Sequence, residues 1–249
     1  MIVVTELMAP KTKTLAGKPK ISVPRQPPRP FNSRDGLGAY SVDPASFPPG
    51  RVIYCTDQWV VINDLYPKAS VHMLLLLRDP TKNRLHPFDA FEDRSLVDSA
   101  LTELVKVRNM AASELRRRFG NFSATERARI AAMNADPPLP KSELPAGRDW
   151  QKEIQSGVHA HPSMNHLHIH VLSVDMISPC MRHRNHYNSF KTPFLVPVED
   201  FPLGPDHLAK RIGNMDADLV CWRCGQNFGR NFAKLKEHLS AEFDKWKEE

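Results

Sequence analysis

Three histidines alternate with aliphatic residues in His166-Leu167-His168-Ile169-His170-Val171, and this run constrains the chain more than any other. On a β-strand, successive side chains point to opposite faces. The three imidazoles then share one face, while Leu167, Ile169 and Val171 enter a core on the other. Three imidazoles on a rigid face have two common uses. A metal site needs a further carboxylate or water, plus partners that orient the rings, and the nearby acid, Asp175, lies beyond the strand. Attack on phosphorus needs less. Neutral imidazole is a nucleophile, the phosphoramidate it forms hydrolyses readily, and its neighbours can donate to phosphate oxygens where charge accumulates. A separate acid must protonate the leaving oxygen, and His159 and His161 end the preceding strand-like segment.

Strand-like runs cover 51–57, 58–64, 70–79, 151–159 and 165–174, which predicts an α+β fold with about five antiparallel strands and flanking helices. Residues 93–120 read as a long amphipathic helix. Val97, Leu101, Leu104, Ala111 and Leu115 recur at helical spacing, Ser95 and Asp98 form a capping pair, and Gly120 is the stop. Residues 121–150 hold a short helical pattern followed by four prolines, and read as an insertion. The first 34 residues are basic, rich in Pro and without periodicity, and are expected to be a disordered leader. Folded structure is expected from Gly36.

The net charge is +6 and the pI about 9.2, which suits an anionic partner. Segment 178–191 carries Arg182, Arg184 and Lys191 with His183 and His186 and no acid. No run of 18 apolar residues offers a membrane span and no secretory signal is apparent, so an intracellular protein is expected. Cys55 and Cys180 read as plain thiols. Cys221 and Cys224 form a C-x-x-C pair, and His238 and Glu242 follow four apart on one face of a helical segment, 232–246. Two thiolates and two helix side chains can close a structural zinc site. Residues 205–249 hold eight basic and eight acidic side chains, so any contact with nucleic acid must use one face. Arg223, Arg230 and Lys234 are the candidates, with Trp222 or Phe228 available for stacking.

The words INDLYPKASVH (62–72), GVHAHPSMNHLHIHVLS (157–173) and SPC…HYNSFKT (178–192) resemble, in order, segments of the aprataxin branch of the histidine-triad family. The likeness runs from Tyr54 to Thr192, apart from the insertion, and resumes in the finger. It implies a histidine-triad domain over 35–197 and a helix with a DNA-binding zinc finger over 198–249. It also implies a DNA repair hydrolase that removes AMP from 5′-adenylated nicks, ends and RNA–DNA junctions, and GMP caps from 3′ ends.

By this resemblance His168 is the nucleophile that carries the nucleotide. His166 and His170 bind phosphate, and His159 is the acid for the leaving 5′-phosphate. Asp64 holds the ribose, Lys68 and His72 shape the nucleotide site, and Ser163 cradles phosphate. Cys221, Cys224, His238 and Glu242 match the finger of fungal relatives, with zinc structural and no cofactor in catalysis. A monomer acting in the nucleus, and also in the cytoplasm, is expected. Family members often have a denser Lys run and a Trp here; in this chain Tyr187 takes the aromatic place and Asn185 interrupts the charges, and a forkhead-associated domain has no room. A closed zinc site would act through folding and DNA grip, leaving hydrolysis of small AMP conjugates intact. The rival readings are a hydrolase of small nucleoside phosphoramidates or dinucleoside polyphosphates, and a non-catalytic module that binds DNA ends.

Overall fold

A computed structural model describes residues 34–137, 139–211 and 216–249, so all but the last residue of the expected leader lies outside the described residues. A short helix, α1 (Gly38–Val42), leads into three antiparallel strands, β1 (Val52–Cys55), β2 (Trp59–Asn63) and β3 (His72–Leu77). Helices α2 (Pro87–Ala90), α3 (Arg94–Phe119) and α4 (Ala124–Met133) follow, then β4 (Ile154–His159) and β5 (His168–Ser173). Helix α5 (Arg184–Lys191), strand β6 (Leu195–Val196) and the C-terminal helix α6 (Phe232–Glu248) complete the chain. The sheet order is β1-β2-β3-β5-β4-β6, antiparallel throughout.

The alternation expected of the strands divides the sheet's two faces. Val61, Met73, Leu75, Ile169 and Val171 form a core with Val97, Leu104, Val107, Ala111 and Leu115 of α3. The opposite face carries Val60, Ile62, Leu74 and Leu76, covered by Leu37 and Tyr40 of the N-terminal segment. Register fixes the histidines on that second face. Leu74 lies opposite His170 and Leu76 opposite His168, and residues directly opposite share a face.

The structure refines several expectations. Among the described residues the sheet has six strands where about five are expected, because Val196 and Leu195 pair with Val158 and His159; a two-residue strand has no alternation to read. The histidine strand starts at His168, not 165, since Asn165 and Leu167 give their amide hydrogens to Arg34 and Asn83. The cap of α3 is Asp93, whose carboxylate accepts from the Ser95 amide at 2.9 Å, while Asp98 pairs with Arg94. Gly120 is the C-cap of α3, as the stop requires, and keeps right-handed backbone angles; Leu101 is half-buried rather than core.

The 121–150 segment and α6 join the α3-side core. Trp246 is buried, and its indole donates to Glu153 Oε2 at 2.7 Å. The Arg148 guanidinium lies 4.5 Å from the Trp150 ring centre and 4.7 Å from that of Trp246. Among the described residues, no helix is long and apolar enough to cross a membrane.

Candidate active site

On the α1 side of the sheet a cavity of about 370 Å³ opens beside the histidines. His72 of β3, His159 of β4, and His168 and His170 of β5 form its floor. Leu37, Ile62, Leu74 and Met164 make an apolar end, and Phe190 and Ser189 of α5 make the facing wall. Lys68, Asp64 and Ser163 also line it.

Hydrogen bonding assigns the tautomers. His168 Nδ1 lies 2.7 Å from the carbonyl oxygen of His166. A carbonyl only accepts, so Nδ1 carries the proton and Nε2 keeps a free lone pair. A second chain begins at the Lys68 amide, which donates to His72 Nδ1 at 3.1 Å. His72 must then carry its proton on Nε2, which lies 3.0 Å from His170 Nδ1. His170 is thereby left with its proton on Nε2, a buried atom without a protein partner. His168 therefore presents a nucleophilic nitrogen to the cavity and His170 an unused N–H donor. Asp64 Oδ2, 3.4 Å from His72 Nδ1, is too far for a strong competing bond; Asp64 Oδ1 accepts from the Tyr66 amide at 2.7 Å.

Burial keeps these imidazoles neutral. It pulls His72 down to about 4 and His159 down to about 3, and lowers His168 and His170 as well. Linkage gives a stability prediction. These folded-state values lie below the ordinary 6.5, so as pH falls from 6.5 towards 4 the unfolded chain takes up protons that the folded chain refuses. Stability should decline through that window, and these imidazoles should add no slope above it. Urea midpoints at a series of pH values check this, and a midpoint that holds constant down to pH 4 would contradict it.

His166 departs from its expected place. Its imidazole leaves the cavity and packs on α1, where a Cβ at Gly38 would sit 2.5 Å from its Cε1. It serves the site through its carbonyl, because it precedes the strand whose alternation would have aligned it. His159 is placed beside His170, with ring centres 4.4 Å apart, and its buried Nε2 is unpartnered. A bound phosphate would raise its proton affinity and equip it to act as an acid. Ser163 stands exposed at the rim.

In the C-terminal module, Cys221 Sγ, Cys224 Sγ and His238 Nε2 lie within 4.8 Å of one another. The Cys221 carbonyl accepts from the Gly225 amide at 3.0 Å, and Gly225 has φ +76°, a turn that brings the second thiol back over the first. Two thiols and an imidazole so gathered fit a zinc ion. Glu242 is not gathered with them: its carboxylate accepts from Arg223 at 2.5 Å and Lys245 at 2.8 Å. This ion pairing also engages Arg223, which the sequence offers to nucleic acid.

Comparison with known proteins matches residues 48–176 to the HIT domain and residues 191–245 to the C2HE / C2H2 / C2HC zinc-binding finger. An aprataxin-like protein of Schizosaccharomyces pombe is 33% identical over 86% of this chain and 82% of its own length. The chain belongs to the aprataxin family. A crystal structure of the aprataxin ortholog Hnt3 in complex with DNA superposes with a TM-score of 0.68 at 32% identity, covering 86% of this chain and 96% of the other. Hnt3 in complex with DNA and guanosine gives 0.66 at 33% identity, with the same coverage.

Within this aprataxin fold the basic residues separate into two groups. Arg182, Arg230 and Lys234 are exposed. Arg184 instead donates to the Ala217 carbonyl at 3.0 Å, and Lys191 turns inward. The Lys191 ammonium bonds Gln155 at 3.0 Å and stands 5.3 Å from the Trp222 ring centre, and burial brings it down to about 8. The sequence reads Arg184 and Lys191 as nucleic-acid contacts because their charge is visible and their burial is not. It overlooks Phe190 and Ser189 as cavity walls, although the 178–192 word contains both.

Proposed function

We propose that this aprataxin-family protein hydrolyses the adenylate from 5′-adenylated DNA, at nicks, ends and RNA–DNA junctions, as a nuclear and cytoplasmic monomer. The observation that carries the reading is the pairing of an unencumbered His168 Nε2 with the unpartnered His170 Nε2–H in one cavity. His168 Nε2 attacks the adenylate phosphorus, and the bond to the oxygen of the DNA 5′-phosphate breaks. His159 gives that oxygen its proton. Water then cleaves the phosphorus–nitrogen bond, releasing AMP and free His168. His170 donates to the phosphate oxygens as charge builds on them. Lys68 adds a cation, and Asp64 holds the ribose hydroxyls.

Binding of DNA is supported by the structure of Hnt3 with DNA, and removal of 3′-linked GMP by the structure that also contains guanosine. Arg182, Arg230 and Lys234 are the phosphate contacts of this reading. Zinc is structural on Cys221, Cys224 and His238. Glu242 completes the set once it exchanges Arg223 for the metal, which would release Arg223 towards DNA.

The deciding experiment measures AMP release from an adenylated nicked duplex and from adenosine 5′-phosphoramidate. Efficient turnover of the duplex supports the proposal. Turnover of the small conjugate alone would favour a small-molecule hydrolase, and turnover of neither a binding module. His159→Ala should slow the duplex reaction by about 10²–10⁴-fold. An AMP ester with a leaving group that needs no proton should be slowed far less. Equal losses would leave His159 a purely supporting role.

A further inference from the structure

Helix α5 makes contact at two successive turns. The later one carries Phe190 into the cavity wall, where its ring centre lies 4.8 Å from that of His159, 5.1 Å from His170 and 5.5 Å from His72. The turn before it grips the zinc knuckle. Tyr187 is fully buried, and its hydroxyl donates to the Val220 carbonyl at 2.8 Å and accepts from the Trp222 amide at 3.0 Å. These two backbone groups flank Cys221 on either side. Asn188 adds a bond to the Ala217 carbonyl at 2.7 Å, and the Lys191 ammonium sits over Trp222.

We infer that Tyr187 is a positioning residue through which the zinc knuckle sets the α5 wall of the active site, so that zinc supports phosphorus chemistry even on substrates too small to reach the finger. Cys221, when it holds zinc with Cys224 and His238, would have its backbone fixed on both sides. Tyr187 reads that backbone with both a donor and an acceptor, so it can be satisfied only when residues 220 and 222 hold their places. Three residues later Phe190 passes the position to His159 and His170, whose free Nε2 atoms must meet the phosphate. One helical turn separates the two contacts, and a packed helix moves as a unit. The inference departs from the expectation that loss of the finger's metal spares small conjugates. It rests on the triad chemistry proposed above.

The test uses the full zinc-loaded chain and Tyr187→Phe, which keeps the ring and removes the hydroxyl. With two buried hydrogen bonds lost, the variant should still hold zinc but yield it to a chelator about tenfold faster, and kcat on adenosine 5′-phosphoramidate should fall about tenfold with KM little changed. Imidazole resonances of His159 and His170 should shift. Stripping zinc from the wild type should lower kcat and move the same resonances in the same direction. Stripping it from Tyr187→Phe should add less than about a twofold further loss, because both changes break one connection. Lys191→Met, which removes the cation over Trp222, should act in the same sense and guards against a misfolded Tyr187 variant. The inference is overturned if zinc-free wild type keeps its kcat and its imidazole resonances. It is equally overturned if metal loss and Tyr187→Phe reduce kcat by independent factors. A wild type that releases no AMP from either substrate sinks the proposed function instead, and the resonances and chelation rates then decide the coupling.

Discussion

Replacing His168 by alanine should lower AMP release by about 10⁴-fold or more, on duplex and small conjugate alike, because the covalent route has no other nucleophile. His168 Nδ1 is tied to the His166 backbone carbonyl at 2.7 Å. That bond fixes both the ring's orientation and its tautomer, so Nε2 is presented as a base-form nitrogen at neutral pH. His170 cannot replace it: its Nδ1 is taken by His72 and its Nε2 carries a proton. His159 is buried between His170 and Phe190, with ring centres 4.4 and 4.8 Å away. The variant should remain folded, since among the described residues the side chain's hydrogen bond is the one to the His166 carbonyl and the cavity can admit water to that carbonyl. Affinity for adenylated DNA should stay within about threefold, as this interaction forms in the transition state rather than on binding. Rapid-quench trapping on the wild type should place the nucleotide on His168. Multiple turnover by pure His168→Ala protein, or an adduct mapped to another side chain, would remove His168 as nucleophile.

The sequence made the catalytic floor legible because a strand's period of two is exact. His168 and His170 had to share a face, and the buried partners Ile169 and Val171 had to leave it. Residues whose roles depend on tertiary approach were less visible. His166 obeys the same spacing but precedes the strand, so only its carbonyl reaches the site. His72 looked like a shaping residue, and its part in directing the His170 proton emerges only once β3 pairs with β5. Lys191 and Arg184 have the composition of a DNA-facing loop, yet α5 folds them against Trp222 and Ala217. The zinc module shows both sides. Spacing brings Cys221, Cys224 and His238 together, while the engagement of Glu242 by Arg223 depends on a contact between the knuckle and α6 that spacing does not encode.

The C-terminal helix gives the second large effect, on stability. Trp246→Ala should destabilise the whole protein by about 3–5 kcal/mol, the range for truncating a buried large aromatic side chain. The indole is 1% exposed and belongs to the same core as Leu104, Leu115 and Ile169 of the sheet and α3. Its loss would also leave Glu153 without the indole donor at 2.7 Å, and would open one side of the stack that holds Arg148. Arg148 would stay buried beside Glu153, 2.9 Å away, with Trp150 its remaining aromatic neighbour. A loss of this size is a substantial share of the 5–15 kcal/mol or so that holds a typical domain together. Trp246→Phe keeps most of the apolar area and removes the hydrogen bond, so it should cost only about 1–2 kcal/mol. The form of the transition matters as much as its midpoint. If α6 is part of the triad domain's core, zinc-loaded wild type and Trp246→Ala should each unfold in one transition, seen identically by tryptophan fluorescence and by far-ultraviolet circular dichroism. A finger that folded apart would instead melt separately, leaving the triad transition where it was. Two transitions, with the larger unmoved by Trp246→Ala, would show that the shared core does not couple the two parts of the chain.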